Sequence, residues 1–203
     1  MTQRIENANL ATYELELAGM LARAFEQDPL ARYVFPDDAV RRRRLISVYR
    51  LYLRVFARGG RVLVNDARSA AALWLPPGRY PLTWAQHLRL LPRMLWATGA
   101  TGFAAATRVL DHLDSMHPAG KPFWYLGVLG VDPASQHRGL GSELLRVGLR
   151  VCDQEDVAAY LETAEPGNLS FYARFGFSEL VESRLRGGPT VWSLWRDPDR
   201  DSV

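Results

Sequence analysis

The sequence predicts an α/β domain built on a mixed sheet with helices on both faces. Three stretches carry that reading. Phe123 to Val131 is an apolar run without polar alternation, as expected of a strand covered on both sides. Directly after it, Asp132-Pro133-Ala134-Ser135-Gln136-His137-Arg138-Gly139-Leu140-Gly141-Ser142 is a tight turn that opens a helix, in which Leu144, Leu145, Gly148, Leu149 and Cys152 recur at helical spacing. Val157 to Thr163 then supplies a second strand, parallel to the first because a helix joins them.

The remaining elements follow in order. Residues 3 to 6 read as a short first strand. From Leu10 the pattern is helical, with Leu17, Leu21 and Phe25 on one stripe and Ala18 and Ala22 beside it; the helix ends before Asp28-Pro29, because a residue preceding proline is pushed out of helical geometry. Asp28 to Pro36 is a loop or broken helix. Asp37 or Asp38 caps a second helix reaching about Ala57, buried along Leu45, Tyr49, Tyr52 and Phe56 and wet along Arg43, Arg50 and Arg54. Gly59-Gly60 ends it. Residues 61–65 and 70–75 read as a hairpin. The long connection at about 76–122 contains helices over 83–91 and 103–116, with breaks at Pro92 and at Thr98 to Gly102. His117-Pro118-Ala119-Gly120 is its exit turn. After the two parallel strands, Asn168 caps a short helix containing Tyr172 and Phe175, which Gly176 ends in the left-handed position. Residues 177–181 and 190–196 close the sheet as a hairpin, and the polar tail from Asp197 frays.

Composition bounds the function. The 203 residues suit one domain, 1–203, with a core that needs no disulfide or metal. A content of 48% hydrophobic and 23% charged residues matches a globular protein. No apolar run approaches the roughly 20 residues of a membrane span. The start lacks a signal-peptide core and there is one cysteine, so the expected location is the cytoplasm, without a membrane partner. A net charge of +3 is too small to indicate nucleic acid. The dense basic cluster, Arg41 to Arg44, reads as a solvated helix face, with a patch for cofactor phosphates or an acidic partner as the alternative. His112 and His117, with Asp111, Asp114 and Ser115 nearby, are not spaced as ligands on one helix face, so no metal site is expected.

The turn at 132–142 is built for an anion. The first amides of a helix have no internal partner and lie at the positive end of its dipole, where a phosphate is stabilised. Gly139 and Gly141 remove Cβ atoms that would hold a ligand away, and Arg138 adds a full charge. A P-loop requires Lys and then Ser or Thr after the last glycine, and Ser142-Glu143 stands there; a dinucleotide fold requires a third glycine where Leu144 stands. Gln136 to Gly141 instead fits Q-x-x-G-x-G, the turn of acetyl-coenzyme A binding acetyltransferases.

That turn, with Leu129-Gly130-Val131-Asp132-Pro133 before it and Leu161-Glu162-Thr163 and Asn168-Leu169-Ser170-Phe171-Tyr172-Ala173-Arg174-Phe175-Gly176-Phe177 after it, resembles the GCN5-related N-acetyltransferase (GNAT) superfamily, and within it the puromycin N-acetyltransferases and their relatives. A weaker similarity reaches back through Ala24-Phe25 and Ala71-Ala72-Leu73-Trp74. The resemblance implies the GNAT fold: a mixed twisted central sheet with splayed parallel strands 4 and 5, and a bulge near Leu129 and Gly130. It further implies acetyl-CoA as cofactor, held by Leu129, Gly130, Val131, Gln136, His137, Arg138, Gly139, Leu140, Gly141, Ser142, Asn168 and Tyr172. The acceptor would border Asp28 to Pro36, with Asp28, Tyr33 and Phe35 as candidate contacts. The 76–122 insertion, longer than many members carry, would cover the acceptor cleft, unless it serves as core padding or a dimer contact.

The chemistry needs a base, an oxyanion donor and an acid. An amine of pKa near 10 is mostly protonated at neutral pH, and Glu162, on the splayed strand, is the candidate base, with an edge carboxylate pairing to arginine as the bland alternative. The freed amide of Leu129 or Val131 would hold the developing oxygen charge. Tyr172 is the candidate acid for the departing thiolate, or else an aromatic packed on the sheet. Cys152 faces inward and is inert. The expected function is direct acetyl transfer from acetyl-CoA to the primary amine of a small, possibly antibiotic-like molecule, by a monomer or homodimer. Protein or peptide N-acetylation, and a non-catalytic CoA-sensing module, are the alternatives.

Overall fold

The computed structural model describes residues 5–8, 10–80, 84–118 and 120–200. The strands are β1 (Ile5–Asn7), β2 (Arg61–Asn65), β3 (Ala70–Leu75), β4 (Phe123–Val131), β5 (Ala158–Thr163), β6 (Ser178–Arg184) and β7 (Thr190–Arg196). The helices are α1 (Leu10–Ala24), α2 (Pro29–Val34), α3 (Asp38–Gly59), α4 (Trp84–Ser115), α5 (Leu140–Gln154) and α6 (Gly167–Ala173). The strands form one sheet in the order β1-β2-β3-β4-β5-β7-β6, antiparallel throughout except between β4 and β5. The mixed α/β fold expected from the sequence is present.

Alternation along the strands divides the core in two. Val62, Val64, Ala71, Leu73, Leu75, Tyr125 and Val128 face α1 and α3, meeting Leu17, Leu21, Leu53 and Phe56. Leu63, Ala72, Trp74, Trp124 and Leu126 face α5, meeting Leu144, Leu145, Leu149 and Cys152. This two-sided burial is why β3 is apolar at every position. Gly148 lets α5 approach: a Cβ there would lie 2.4 Å from Trp74 Cε2.

Several local expectations are corrected. Arg41 is buried, not solvated: its Nε donates to Phe35 O at 2.7 Å and its Nη2 to Pro36 O at 2.9 Å, so it staples the end of α2 to the start of α3. Arg42 pairs with Glu26, and Arg44 Nη1 reaches Trp96 O at 3.4 Å. Pro92 does not break its helix, since its fixed φ is already helical and it costs one hydrogen bond. The break expected within Thr98 to Gly102 is present, at Gly99, with φ 70° and ψ 169°, beside the Arg44 guanidinium. Asn168 does not cap α6 but lies inside it, with Nδ2 3.2 Å from Thr163 Oγ1, and Phe175 follows the helix rather than belonging to it. The tail through Arg200 is tied down: Asp199 N donates to Asp153 Oδ1 at 2.8 Å, and Arg200 pairs with Asp156.

The parallel pair fixes the site. β4 and β5 pair only at Phe123–Ala158, Trp124–Ala159 and Tyr125–Tyr160, and part beyond that point. On the other side of β4, partners shift from Leu73–Val128 to Trp74–Leu126, so Gly127 is the extra residue of a bulge. The bulge therefore lies at Gly127, two to three residues before the expected Leu129 and Gly130. A Cβ at Gly127 would lie 2.4 Å from Phe56 Cζ, so close packing by α3 requires the glycine that allows the kink.

Candidate active site

Three features meet where β4 and β5 part. The first is backbone on β4. Asp132 N donates to Ser69 O at 2.8 Å, so by two-residue alternation Gly130 and Val128 direct their amide and carbonyl groups to β3. Leu129 and Val131 direct theirs the opposite way, into the gap. Gln136 Nε2 donates to Val131 O at 3.3 Å, tying the following turn to this strand end.

The second feature is that turn. Asp132 Oδ1 accepts from Ala134 N at 3.1 Å while Oδ2 takes Arg23 Nη2 at 2.6 Å, which fixes the turn against α1. His137 (φ 61°) and Gly139 (φ 80°) are both left-handed and swing the chain into α5, with Gly139 as its N-cap. Glu143 N is bonded to Gly139 O at 3.0 Å, so the amides of Leu140, Gly141 and Ser142 precede the first helical bond. A Cβ on Gly139 would meet no protein atom within 4 Å, and His137 and Arg138 are exposed beside it. Free amides, a dipole end, an open cradle and a guanidinium make this stretch fit a diphosphate. Leu140 contributes only backbone, because its side chain is buried against α5's core face.

The third feature is a cavity of about 510 Å³ between the sheet, α2, α3 and α4. Its lining is mainly aromatic and aliphatic, including Phe25, Phe35, Tyr49, Tyr52, Tyr80, Leu110 and Tyr125, and reaches Leu129, Asn168 and Tyr172 at the gap. Its ionisable groups other than tyrosine are Asp28, Asp111, Asp114 and Glu162; among the described residues no Lys or Arg lines it. Asp28 and Phe35 are thus cavity-lining residues, although Asp28 Oδ1 is also the cap of α2, accepting from Leu30 N at 2.8 Å and Ala31 N at 3.2 Å. Tyr33 is not: it lines a separate surface depression with Arg32, Glu165 and Gly188, its hydroxyl donating to Arg186 O at 3.2 Å and accepting from Arg108 Nε. α2 turns it outward because Ala31 and Phe35 take the inner face.

Glu162 is buried at the cavity wall, its side chain 4% exposed. Burial pushes its carboxyl up to about 8, Asp114 adds to the rise, and the hydroxyls of Tyr125 and Tyr160 offset part of it. Its neighbour is His117, whose Nε2 lies 3.3 Å from Glu162 Oε1, off the line of an ideal hydrogen bond. Sequence reasoning missed this residue, as well as Tyr80, which stacks on Tyr125 at 4.0 Å. Tyr172 is buried with its ring against Phe171 and Phe177, and burial raises its phenol above the ordinary value. Cys152 is buried and its thiol pushed up to about 12, as suits an inert side chain.

Comparison with known proteins decides the family. The model described as "Acetyltransferase (GNAT) family" matches residues 63–177, more than half of the chain, from the middle of β2 to Phe177. The chain belongs to the GNAT acetyltransferase family. An uncharacterized N-acetyltransferase of Schizosaccharomyces pombe is 27% identical over 169 residues, covering 79% of this chain and 68% of that protein. Among solved structures, one described as histone acetyltransferase HPA2 and related acetyltransferase from Corynebacterium glutamicum covers all of both chains at TM-score 0.74 and 24% identity. The polyamine N-acetyltransferase of Drosophila melanogaster, which forms N-acetylagmatine, covers 97% of this chain and 100% of its own at TM-score 0.66 and 14% identity. These structures share the fold. This GNAT chain is an N-acetyltransferase, and its family implies acetyl-CoA as acyl donor. No helix among its described residues is long and apolar enough to cross a membrane.

Proposed function

We propose that this enzyme transfers acetyl from acetyl-CoA directly to the primary amine of a small, largely apolar molecule. The observation that carries this reading is the cavity: aromatic and aliphatic walls, carboxylates as its charged groups, and a buried Glu162 beside the gap between β4 and β5. Such a pocket favours an organic cation with an apolar body over an amine that also bears a carboxylate. The same walls make a peptide chain a poor fit, because apolar residues of α2, α3 and α4 line the cavity and leave a peptide's backbone groups few polar partners.

Acetyl-CoA supplies an acyl group already activated as a thioester. The amides at 140–142, with Arg138 and His137, hold its diphosphate, and the outward groups of Leu129 and Val131 align its arm. The cationic amine first loses one proton to solvent to become the neutral nucleophile. As the N–C bond forms and the C–S bond breaks, Glu162 takes a second proton from the nitrogen and afterwards releases it to solvent. The oxygen charge that develops is stabilised by the outward amide of Leu129 or Val131. Tyr172 donates its hydroxyl proton to the thiolate and regains one from solvent. A base raised toward the pKa of an amine transfers a proton more readily than an ordinary carboxylate.

Thiol release followed with an amine panel that includes puromycin, aryl-alkylamines, amino acids and peptides tests this reading. Turnover is expected with apolar primary amines and not with amino acids; turnover restricted to peptides, or none with any amine, contradicts it. Tyr172→Phe is expected to lower kcat about 10–100-fold with KM little changed, and full activity across pH would remove the acid role. Arg138→Ala is expected to raise KM for acetyl-CoA about 5–10-fold, and to do so less at high salt, where the surface charge is screened.

A further inference from the structure

His117 lies behind Glu162, which lines the cavity, and stands 45 positions before the carboxyl it touches. Its ring is 5.9 Å from Phe123, nearly parallel, and 4.5 Å from Tyr80 edge-on, with Tyr160 5.0 Å away. The imidazole is therefore fixed, its side chain 6% exposed. Nδ1 is 3.3 Å from the carbonyl oxygen of Asp114. A carbonyl only accepts, so the ring proton is on Nδ1. Burial holds the ring neutral by pushing its pKa below the ordinary value, against the opposing effect of the Asp114 carbonyl. Nε2 is then a bare lone pair, and the atom it faces is Glu162 Oε1 at 3.3 Å.

Two lone pairs at that distance in a buried place repel unless a proton lies between them. Neither atom has a hydrogen-bond partner among the described residues, so the 3.3 Å contact between them is the polar contact each has. We infer that His117 is a positioning residue for Glu162: its bare Nε2 accepts the carboxyl proton from Oε1 at rest and so fixes the plane of the carboxyl group for the acceptor amine. The inference rests on Glu162 as the base of the proposed reaction. One proton is held by the pair at rest, leaves to solvent, and is replaced by the proton that the amine nitrogen gives up; no bond beyond these O–H and N–H bonds changes. The other groups facing the carboxyl are Asp114 at the end of α4, Tyr52 on α3, Tyr80 after β3, Tyr125 on β4 and Tyr160 on β5. Burial raises all four tyrosines, so they stay neutral over the working range.

Two readouts test this on the intact protein. Nitrogen-15 spectra of the imidazoles, with His117→Phe used to assign the signal, should show His117 as the Nδ1-protonated neutral tautomer at pH 7. An Nε2-protonated ring or an imidazolium overturns the inference, whether or not any amine is turned over. In kinetics, His117→Phe keeps an aromatic ring but removes the acceptor that favours protonated Glu162. The acid limb of kcat/KM should move down by about one pH unit, with kcat lowered about 10-fold and KM for the amine little changed. His117→Gln, whose side-chain carbonyl can accept, should bring the limb back toward wild type. A limb that stays in place in His117→Phe reduces His117 to packing, and one that moves up means a cationic ring supports the carboxylate; either overturns the inference.

Discussion

Glu162→Gln is expected to lose about 10²–10⁴-fold in kcat while becoming more resistant to heat. Both effects come from the same burial. The carboxyl is enclosed by Tyr125, Tyr160 and His117 and its pKa stands at about 8 rather than 4.5. Because the folded value is raised, the folded state binds this proton more tightly than the unfolded chain does. The stability it contributes is full below about 4.5 and is lost as pH rises through about 8. Each pH unit between those two values corresponds to about 1.4 kcal/mol, so the loss approaches roughly 5 kcal/mol as an upper bound. Glutamine does not titrate and keeps the shape. Its Tm should match wild type near pH 4 and exceed it at pH 9 by up to about 10–20 °C, given about 2–4 °C per kcal/mol for a chain of this size. Differential scanning calorimetry across pH reads the effect, and equal Tm curves would remove the buried-charge account. The activity loss should appear as an acid limb near pH 8 in wild-type kcat/KM that is absent from the residual activity of the variant.

Arg196→Leu is expected to destabilise the fold by about 3–5 kcal/mol, lowering Tm by about 6–20 °C. Arg196 Nη1 meets Asp153 Oδ1 at 2.6 Å and Nη2 meets Oδ2 at 3.1 Å, while Nε donates to Phe175 O at 2.9 Å. The two side chains are 10% and 7% exposed. Removing the arginine leaves a buried carboxylate without its cation and opens the link between β7, the C-terminal end of α5 and the loop after α6. The double variant Arg196→Leu/Asp153→Leu should recover much of the loss, because an apolar pair needs no counter-charge. Thermal unfolding of both variants checks this; a double variant less stable than Arg196→Leu would contradict it.

Much of the fold is legible in the sequence because it depends on short-range pattern. Leu17, Leu21 and Leu45 lie where helical spacing puts them, and the stripe from Leu144 to Cys152 packs on the sheet as expected. The turn that opens α5 is legible because Gln136, Gly139 and Gly141 are close together in the chain. What the sequence hides depends on contacts across distance. His117 reads as part of an exit turn because Glu162 is far along the chain, although Tyr160 and Glu162, two apart on one strand, do share its face. Arg41 reads as solvated because the backbone carbonyls of Phe35 and Pro36 that hold it leave no charge signature. Its ion pair with Asp38 looks in sequence like any exposed pair three apart on a helix. Tyr33 is misplaced by sequence reasoning because a six-residue helix has room for only one inward face. A bulge at Gly130 and one at Gly127 look alike in sequence because both glycines interrupt the strand, and only the packing of Phe56 tells them apart.

The central claim is that this pocket passes an acetyl group to a small apolar amine with Glu162 as base. The most direct measurement is mass-resolved product formation from acetyl-CoA and an aryl-alkylamine, for wild type and Glu162→Gln side by side across pH 6 to 9. The account predicts a saturable N-acetyl product from wild type that increases through about pH 8 and a variant that binds acetyl-CoA normally but forms at least about 100-fold less product. Equal product from both proteins, or none from wild type despite bound cofactor, would contradict it.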